Sequence, residues 1–238
     1  MLQQKYIDYH DGEHLLEAYM AFDDRTTTPK PAVIVVHDWS GKNEFARKKA
    51  DELAELGYIG FACDMFGKGV LGTTKEEKSA LIQPLLQDRQ RLQQRMLAAV
   101  NTLLEFNQVD KEKIGAIGFC FGGLCVLDLA RTGTDIKGVV SFHGLFSPPE
   151  NHKHQLIKAK VLALHGYDDP MGTPDQVMSF ATEMTKAKAD WQIHMYGNTM
   201  HAFTNPEAND PSFGTVYDKK ADIRSWIAMK DFFGEVFK

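Results

Sequence analysis

Polar and apolar positions alternate over the first part of the chain, then give way to continuous apolar runs separated by helical stripes. Residues 6–10 (YIDYH) and 13–22 (EHLLEAYMAF) alternate around Asp11-Gly12, which predicts an N-terminal β-hairpin with a tight turn. After a polar, threonine-rich stretch ending at Pro31, residues 31–38 (PAVIVVHD) are almost continuously β-branched and apolar. That is the pattern of a strand buried on both faces. In residues 43–57, Phe45, Ala46, Ala50, Leu53 and Ala54 fall on one helical stripe, closed by Gly57. The alternation then repeats. Strand-like runs occupy 58–64, 113–119, 136–142, 160–166 and 191–197. Helical stripes occupy 88–106 (Leu92, Met96, Val100, Leu103), 121–132 and 173–187, and a final helix turns Trp226, Met229, Phe233 and Val236 inward. Strands alternating with helices imply right-handed crossovers, hence an α/β fold with a mostly parallel central sheet, helices on both faces and the added hairpin. No repeat, linker or low-complexity stretch interrupts it, so residues 1–238 read as a single domain. In such sheets, chemistry sits at the carboxyl ends of the strands.

Composition narrows the function classes. The apolar share of 43% is ordinary for a globular chain with a full core. A net charge of −5 without any basic block excludes a nucleic-acid-binding surface. No apolar run is long enough to span a bilayer, and MLQQKYIDYH lacks the apolar core of a secretory signal, so a cytoplasmic location is expected. Three cysteines, Cys63, Cys120 and Cys125, cannot all pair, which points to free thiols.

The chemistry-bearing motif is Gly118-Phe119-Cys120-Phe121-Gly122-Gly123, placed where a strand gives way to a helix. This is a nucleophile elbow with cysteine at its apex. The apex residue adopts a strained backbone, the flanking glycines let strand and helix approach, and the helix N-terminus favours a thiolate. A thiol nucleophile needs a base and a group to orient that base. In this kind of fold they follow in the order nucleophile, acid, histidine. VLALHGYDDP ends one strand with Asp168 and Asp169, and His201 lies in the loop after the next. Of the remaining histidines, His37, His143 and His165 sit near strand ends as candidate core groups, and His194 lies within a strand. His10, His14, His152 and His154 fit exposed positions. His152-Lys153-His154 is too short a cluster to claim a metal, and no metal or other cofactor is expected.

These segments resemble the dienelactone hydrolase family of the α/β-hydrolase superfamily. GFCFGG, HGYDDP, HAF after Met200, CDMFGKG after the second parallel strand, and Tyr217-Asp218 before a Trp- and Phe-bearing helix all carry the likeness. The resemblance implies Cys120 as nucleophile and His201 as base. It selects Asp169 as the acid, because the family's acid falls three residues after the strand-ending glycine. It implies an oxyanion hole from the backbone N–H groups of Phe121 and Trp39. Asp38 stands where the family carries a glutamate in contact with the resting thiol. Asn205 stands where the dienelactone-cleaving enzymes have an arginine that binds the substrate carboxylate. On the long helix, Arg89, Arg91 and Arg95 offer a replacement anion contact, set against a solvated helix face for at least two of them.

The expected function is hydrolysis of an ester, a dienelactone-like lactone or a thioester through a Cys-Asp-His triad, in a monomer or small homo-oligomer acting on a small molecule. Two rivals differ in class. Thiol amidotransferase glutaminases share the elbow but place glutamate two residues after the histidine, where this chain has Phe203. A hydrolase-fold protein that only binds a small molecule would bind tightly without turnover.

Overall fold

A computed structural model describes residues 1–150 and 156–238. His152 and His154, placed at the surface by the sequence, lie outside the described residues. The chain divides into two compact units, Met1–Ile117 and Gly118–Lys238.

In the first unit, β1 (Leu2–Asp11) and β2 (His14–Asp23) form the expected hairpin. It is paired from Leu2↔Asp23 to Asp11↔His14, and Gly12 turns at φ +59°. β3 (Lys30–Val36) runs parallel to β4 (Ile59–Cys63), and β2 runs antiparallel to β4. The order is β1-β2-β4-β3-β5, with β5 at Val109–Phe119. β4 is buried throughout and β3 from Ala32 onward, as their unbroken apolar runs require.

α1 (Glu44–Glu55) starts where the Asn43 side chain accepts the Ala46 N–H at 3.2 Å. It buries Ala46, Ala50 and Leu53 and packs on β2, β3 and β4. α2 (Lys75–Gln87) has no counterpart in the sequence reading. Thr74 and Glu77 open it with a capping box, but it contains Pro84 and buries only Leu85, so no apolar stripe marks it. α3 (Arg89–Leu104) buries Leu92, Met96, Val100 and Leu103 as expected.

The second unit begins with the last two residues of β5. α4 (Phe121–Arg131) follows, then β6 (Gly138–Phe142), β7 (Lys160–Gly166), α5 (Pro174–Lys186) and β8 (Trp191–Tyr196). β6, β7 and β8 pair in parallel, with α4 against β6. A short ribbon of β9 (Asn209–Asp210) and β10 (Thr215–Val216) precedes α6 (Lys219–Val236), which packs on β6 and β7. In α6, Met229 and Phe233 are buried as expected, whereas Trp226 and Val236 are half-buried and Phe232 takes an inward place. The 3.6-residue period turns Trp226 and Val236 to the flank of that face.

α4 is buried along its whole length and carries two charged side chains inside. Arg131 donates two hydrogen bonds to Glu183, both at 2.8 Å, one to Asp128 at 3.0 Å and one to the Phe146 carbonyl at 3.0 Å. Burial is the largest influence on the guanidinium and works against its charge, yet the paired carboxylates raise its pKa. No helix among the described residues is long and apolar enough to cross a membrane.

Candidate active site

The site is built in the second unit, at the carboxyl ends of β5, β6, β7 and β8. β5 ends at Phe119 and α4 begins at Phe121, leaving Cys120 between them at φ +56° and ψ −116°. An L-residue holds that backbone only where its surroundings over-determine it, at a cost of about 1–3 kcal/mol. The surroundings here are specific. A Cβ on Gly118 would collide with the Gly122 carbonyl, and one on Gly123 would stand 2.6 Å from the Gly144 Cα. Only glycines allow the helix to start this close to the strand ends. The Cys120 N–H is shared between the Phe142 carbonyl at 3.0 Å and His143 Nδ1 at 3.1 Å. Cys120 is partly exposed, whereas Cys63 and Cys125 are buried, and all three thiols are free. The Phe121 N–H belongs to the first turn of α4, whose peptide dipoles point their positive end at the elbow.

The turn after β7 separates the two adjacent carboxylates. Asp168 is exposed, while Asp169 is 2% exposed. Asp169 Oδ1 accepts the Met171 N–H at 2.8 Å, and Oδ2 accepts from His201 Nδ1 at 2.7 Å. Bonding to Nδ1–H fixes the tautomer and leaves Nε2 for chemistry. Nε2 of His201 is buried and has no fully formed hydrogen bond, and Cys120 is the neighbour whose charge acts on this ring most. Burial, the largest single influence, pulls the imidazole pKa down. Electrostatic interaction with Cys120 and the hydrogen bond to Asp169 outweigh it and raise the pKa to about 10. The protonated imidazole is the form of His201 that these neighbours favour.

Two further histidines surround this pair, and sequence reasoning left both among core candidates. His165 Nε2 stands 2.7 Å from the Gly172 carbonyl and 3.8 Å from Asp169 Oδ2. A Cβ on Gly172 would press into that ring, so glycine permits the contact. Burial lowers the pKa of His165, only partly offset by Asp169, so the shorter and charged partnership of Asp169 is with His201. His143 Nε2 stands 2.8 Å from Thr204 Oγ1. Its ring meets those of His201 and Phe203 edge to face, with centroids 5.1 Å and 5.0 Å away. The signal that could have separated His143 from a passive core histidine is SFHG at the end of a strand, one residue before a glycine.

The other sequence candidates fall as follows. In the first unit, Asp38 Oδ1 accepts the Ser40 N–H at 2.8 Å, so the carboxylate ties down its own loop. Trp39 is half-buried, with the Lys78 ammonium 5.7 Å from its ring. His37 is a satisfied core group: Nδ1 stands 2.6 Å from the Asp38 carbonyl and Nε2 accepts the Met65 N–H at 3.1 Å. Arg89 is half-buried at the start of α3, and Arg91 reaches His14 Nε2 at 2.7 Å. Arg95 is the one turned inward, holding the Met65 carbonyl at 2.6 Å and Asp11 Oδ2 at 3.2 Å. Asn205, in the second unit, accepts the Glu207 N–H through its side-chain oxygen at 3.0 Å. Among the described residues, no three His, Cys, Asp or Glu gather as metal ligands.

Comparison with known proteins places the chain in a family. The profile of the dienelactone hydrolase family matches residues 16–237. A carboxymethylenebutenolidase homolog of Xenopus tropicalis is 27% identical over 225 residues, covering 90% of this chain and 87% of that protein. An uncharacterized protein of Caenorhabditis elegans is 40% identical over 150 residues, 62% of this chain and 95% of that one. A crystal structure of a dienelactone hydrolase-like promiscuous phosphotriesterase from metagenomic libraries superposes with a TM-score of 0.94. It is 35% identical and covers 99% of this chain and 98% of its own.

Proposed function

Because this chain belongs to the dienelactone hydrolase family of the α/β-hydrolase fold, and is thereby a lactone or ester hydrolase, we propose that it works through a Cys120-Asp169-His201 triad. The observation that carries the reading is the buried Asp169–His201 hydrogen bond of 2.7 Å, with His201 Nε2 left to the strained Cys120.

In the reaction, the Cys120 thiolate adds to the carbonyl carbon of an ester, lactone or thioester. The oxyanion that forms is held by the backbone N–H of Phe121 and, by family resemblance, that of Trp39. The leaving alkoxide or thiolate departs with the proton from His201 Nε2, and the acyl group stays on Cys120 as a thioester. His201, now neutral, takes a proton from water, which attacks that thioester and releases the acid and the thiolate. Asp169 holds the tautomer and supports the imidazolium in both halves. Cysteine suits this role because the thiolate is a strong nucleophile at neutral pH. These steps require neither a metal nor an organic cofactor.

Within this reading the substrate is a small neutral ester or lactone. Asn205 stands where an arginine would clamp a carboxylate, and an uncharged carboxamide offers no bidentate ion pair in its place. For Asp38 the family resemblance implies a contact with the resting thiol, against the alternative that it only ties down its own loop. Asp38→Asn should then speed iodoacetamide alkylation of Cys120 near neutral pH, and superimposable alkylation curves would remove that contact from the scheme. Three free thiols fit a reducing, cytoplasmic setting, and the proposed form is one domain acting as a monomer or small homo-oligomer.

A panel of short- and long-chain esters, lactones, thioesters, a dienelactone and a phosphotriester, run with wild type and Cys120→Ala, tests the proposal. Turnover of neutral esters or lactones that vanishes in Cys120→Ala is expected. Glutamine-dependent ammonia release in place of ester turnover would overturn it.

A further inference from the structure

The described residues with positive φ that are not glycine are Cys120 (φ 56°), His143 (φ 39°), Ala202 (φ 57°), Lys188 (φ 54°) and Asn198 (φ 55°). Each of the first three is a member of the candidate site or the immediate neighbour of one. Strain at a nucleophile apex is expected, but strain at His143 has no such account. A histidine at φ 39° is maintained against a cost of about 1–3 kcal/mol, so what the ring does there must favour that backbone.

Two hydrogen bonds say what the ring does. Nδ1 accepts the Cys120 N–H at 3.1 Å, so the ring proton resides on Nε2, which donates to Thr204 Oγ1 at 2.8 Å. Cys120 is the apex of the elbow. Thr204 lies three residues after His201 in the same turn, closed by the Asn205 N–H on the Ala202 carbonyl at 2.9 Å. The neutral ring therefore spans the two segments that carry nucleophile and base, and it meets the His201 ring edge to face.

We infer that His143 is a positioning residue that holds the Cys120 peptide and the His201 turn in one arrangement, keeping the thiol aimed at His201 Nε2. The inference rests on the triad reading above. Burial, together with the nearby charge of His201 and of His165, lowers the pKa of His143, so it stays neutral while His201 carries the proton. Only the neutral ring can accept from Cys120 and donate to Thr204 at once.

The experiment compares kcat and KM for a neutral ester in His143→Phe, His143→Asn, Thr204→Val and the His143→Phe/Thr204→Val double variant. Active sites are counted by iodoacetamide titration and folding by thermal melting. Phe keeps a ring but neither hydrogen bond, and kcat should fall on the order of ten- to a hundredfold with KM within about twofold. Asn tolerates positive φ and offers an oxygen to the Cys120 N–H, so it should recover several-fold of that loss. Thr204→Val should lower kcat, and the double variant should cost no more than His143→Phe alone, since both act on one bridge.

His143→Phe within about twofold of wild-type kcat, or Asn no better than Phe, would overturn the inference. Should His143→Phe fail to fold, Thr204→Val decides it, and full kcat there overturns it. Cys120→Ala in parallel keeps the two claims apart. Wild-type hydrolysis in Cys120→Ala sinks the triad itself, whereas an inactive Cys120→Ala beside an unimpaired His143→Phe sinks only the positioning role.

Discussion

The second unit buries two clusters of charge, and they are completed in opposite ways. Around Arg131, four hydrogen bonds to Glu183, Asp128 and the Phe146 carbonyl engage the guanidinium on every nitrogen. Around Asp169 the network runs from the Met171 N–H through the carboxylate to His201 Nδ1 and then stops, with Nε2 facing a thiol and no fully formed bond. Ordinary backbone carries the first cluster, within α4 and α5, while positive-φ residues flank the second. Both clusters bear the desolvation cost of buried charge. The first recovers it within the fold, and the second leaves His201 Nε2 without a hydrogen-bond partner, the position the proposed mechanism uses. Burial and charge alone therefore do not mark a site.

The comparison breaks first if the open cluster is dispensable. Cys120→Ala and His201→Ala should each remove nearly all ester hydrolysis, a loss on the order of 10³-fold or more, and the double variant should lose little beyond either single one because the pair acts as a unit. Steady-state kinetics on folded, titrated protein checks this. Asp169→Asn should lose on the order of 10²- to 10⁴-fold in kcat by giving His201 the wrong tautomer, with exposed Asp168→Asn near wild type. The reverse pattern would mean that the 2.7 Å contact is structural only.

The sharpest contrast comes from breaking the closed cluster. Arg131→Met leaves Asp128 and Glu183 without their buried partner and should cost about 3–5 kcal/mol. For a chain of this size the melting temperature should fall by roughly 10 °C. Per folded molecule kcat should stay within about twofold. A large kcat loss at unchanged stability would erase the distinction between the clusters.

A pH profile refines it further. The His201 pKa is raised to about 10 by Cys120 and Asp169 against the pull of burial, so the imidazolium persists through neutral pH and is lost as pH rises through that value. The alkaline limb of kcat/KM should lie well above the ordinary histidine pKa of about 6.5. Asp169→Asn, by removing a carboxylate that raises the pKa, should move that limb to lower pH. An unmoved limb would assign it to another group. The smallest expected effect is Asn205→Arg, which should improve a carboxylate-bearing lactone over a neutral ester by roughly tenfold if residue 205 faces the substrate.

Much of this was legible from residue order. The unbroken β-branched run before His37, the glycines around Cys120 and the order Cys120, Asp169, His201 each follow from a local rule that leaves a mark in sequence. α2 left no such mark, because it buries only Leu85 and contains Pro84. The β9–β10 ribbon was equally silent, since strands of two residues have no period to read. His143 and His165 were seen but not understood. Their roles depend on which backbone N–H or carbonyl lies across a turn, and spacing along the chain does not encode that. Family likeness chose Asp169 over Asp168; in the structure Asp169 is buried and Asp168 exposed, a difference that their adjacency in sequence does not encode.

The central claim is that Cys120 itself forms a covalent bond with the acyl group. Rapid quenching of a p-nitrophenyl ester reaction, followed by mass spectrometry of the peptide bearing Cys120, tests it directly. The account predicts a burst of about one equivalent of p-nitrophenol and an acyl mass on that peptide, which decays as the acid is released. Hydrolysis at the wild-type rate with no acyl mass on Cys120, and unchanged turnover in Cys120→Ala, would contradict it.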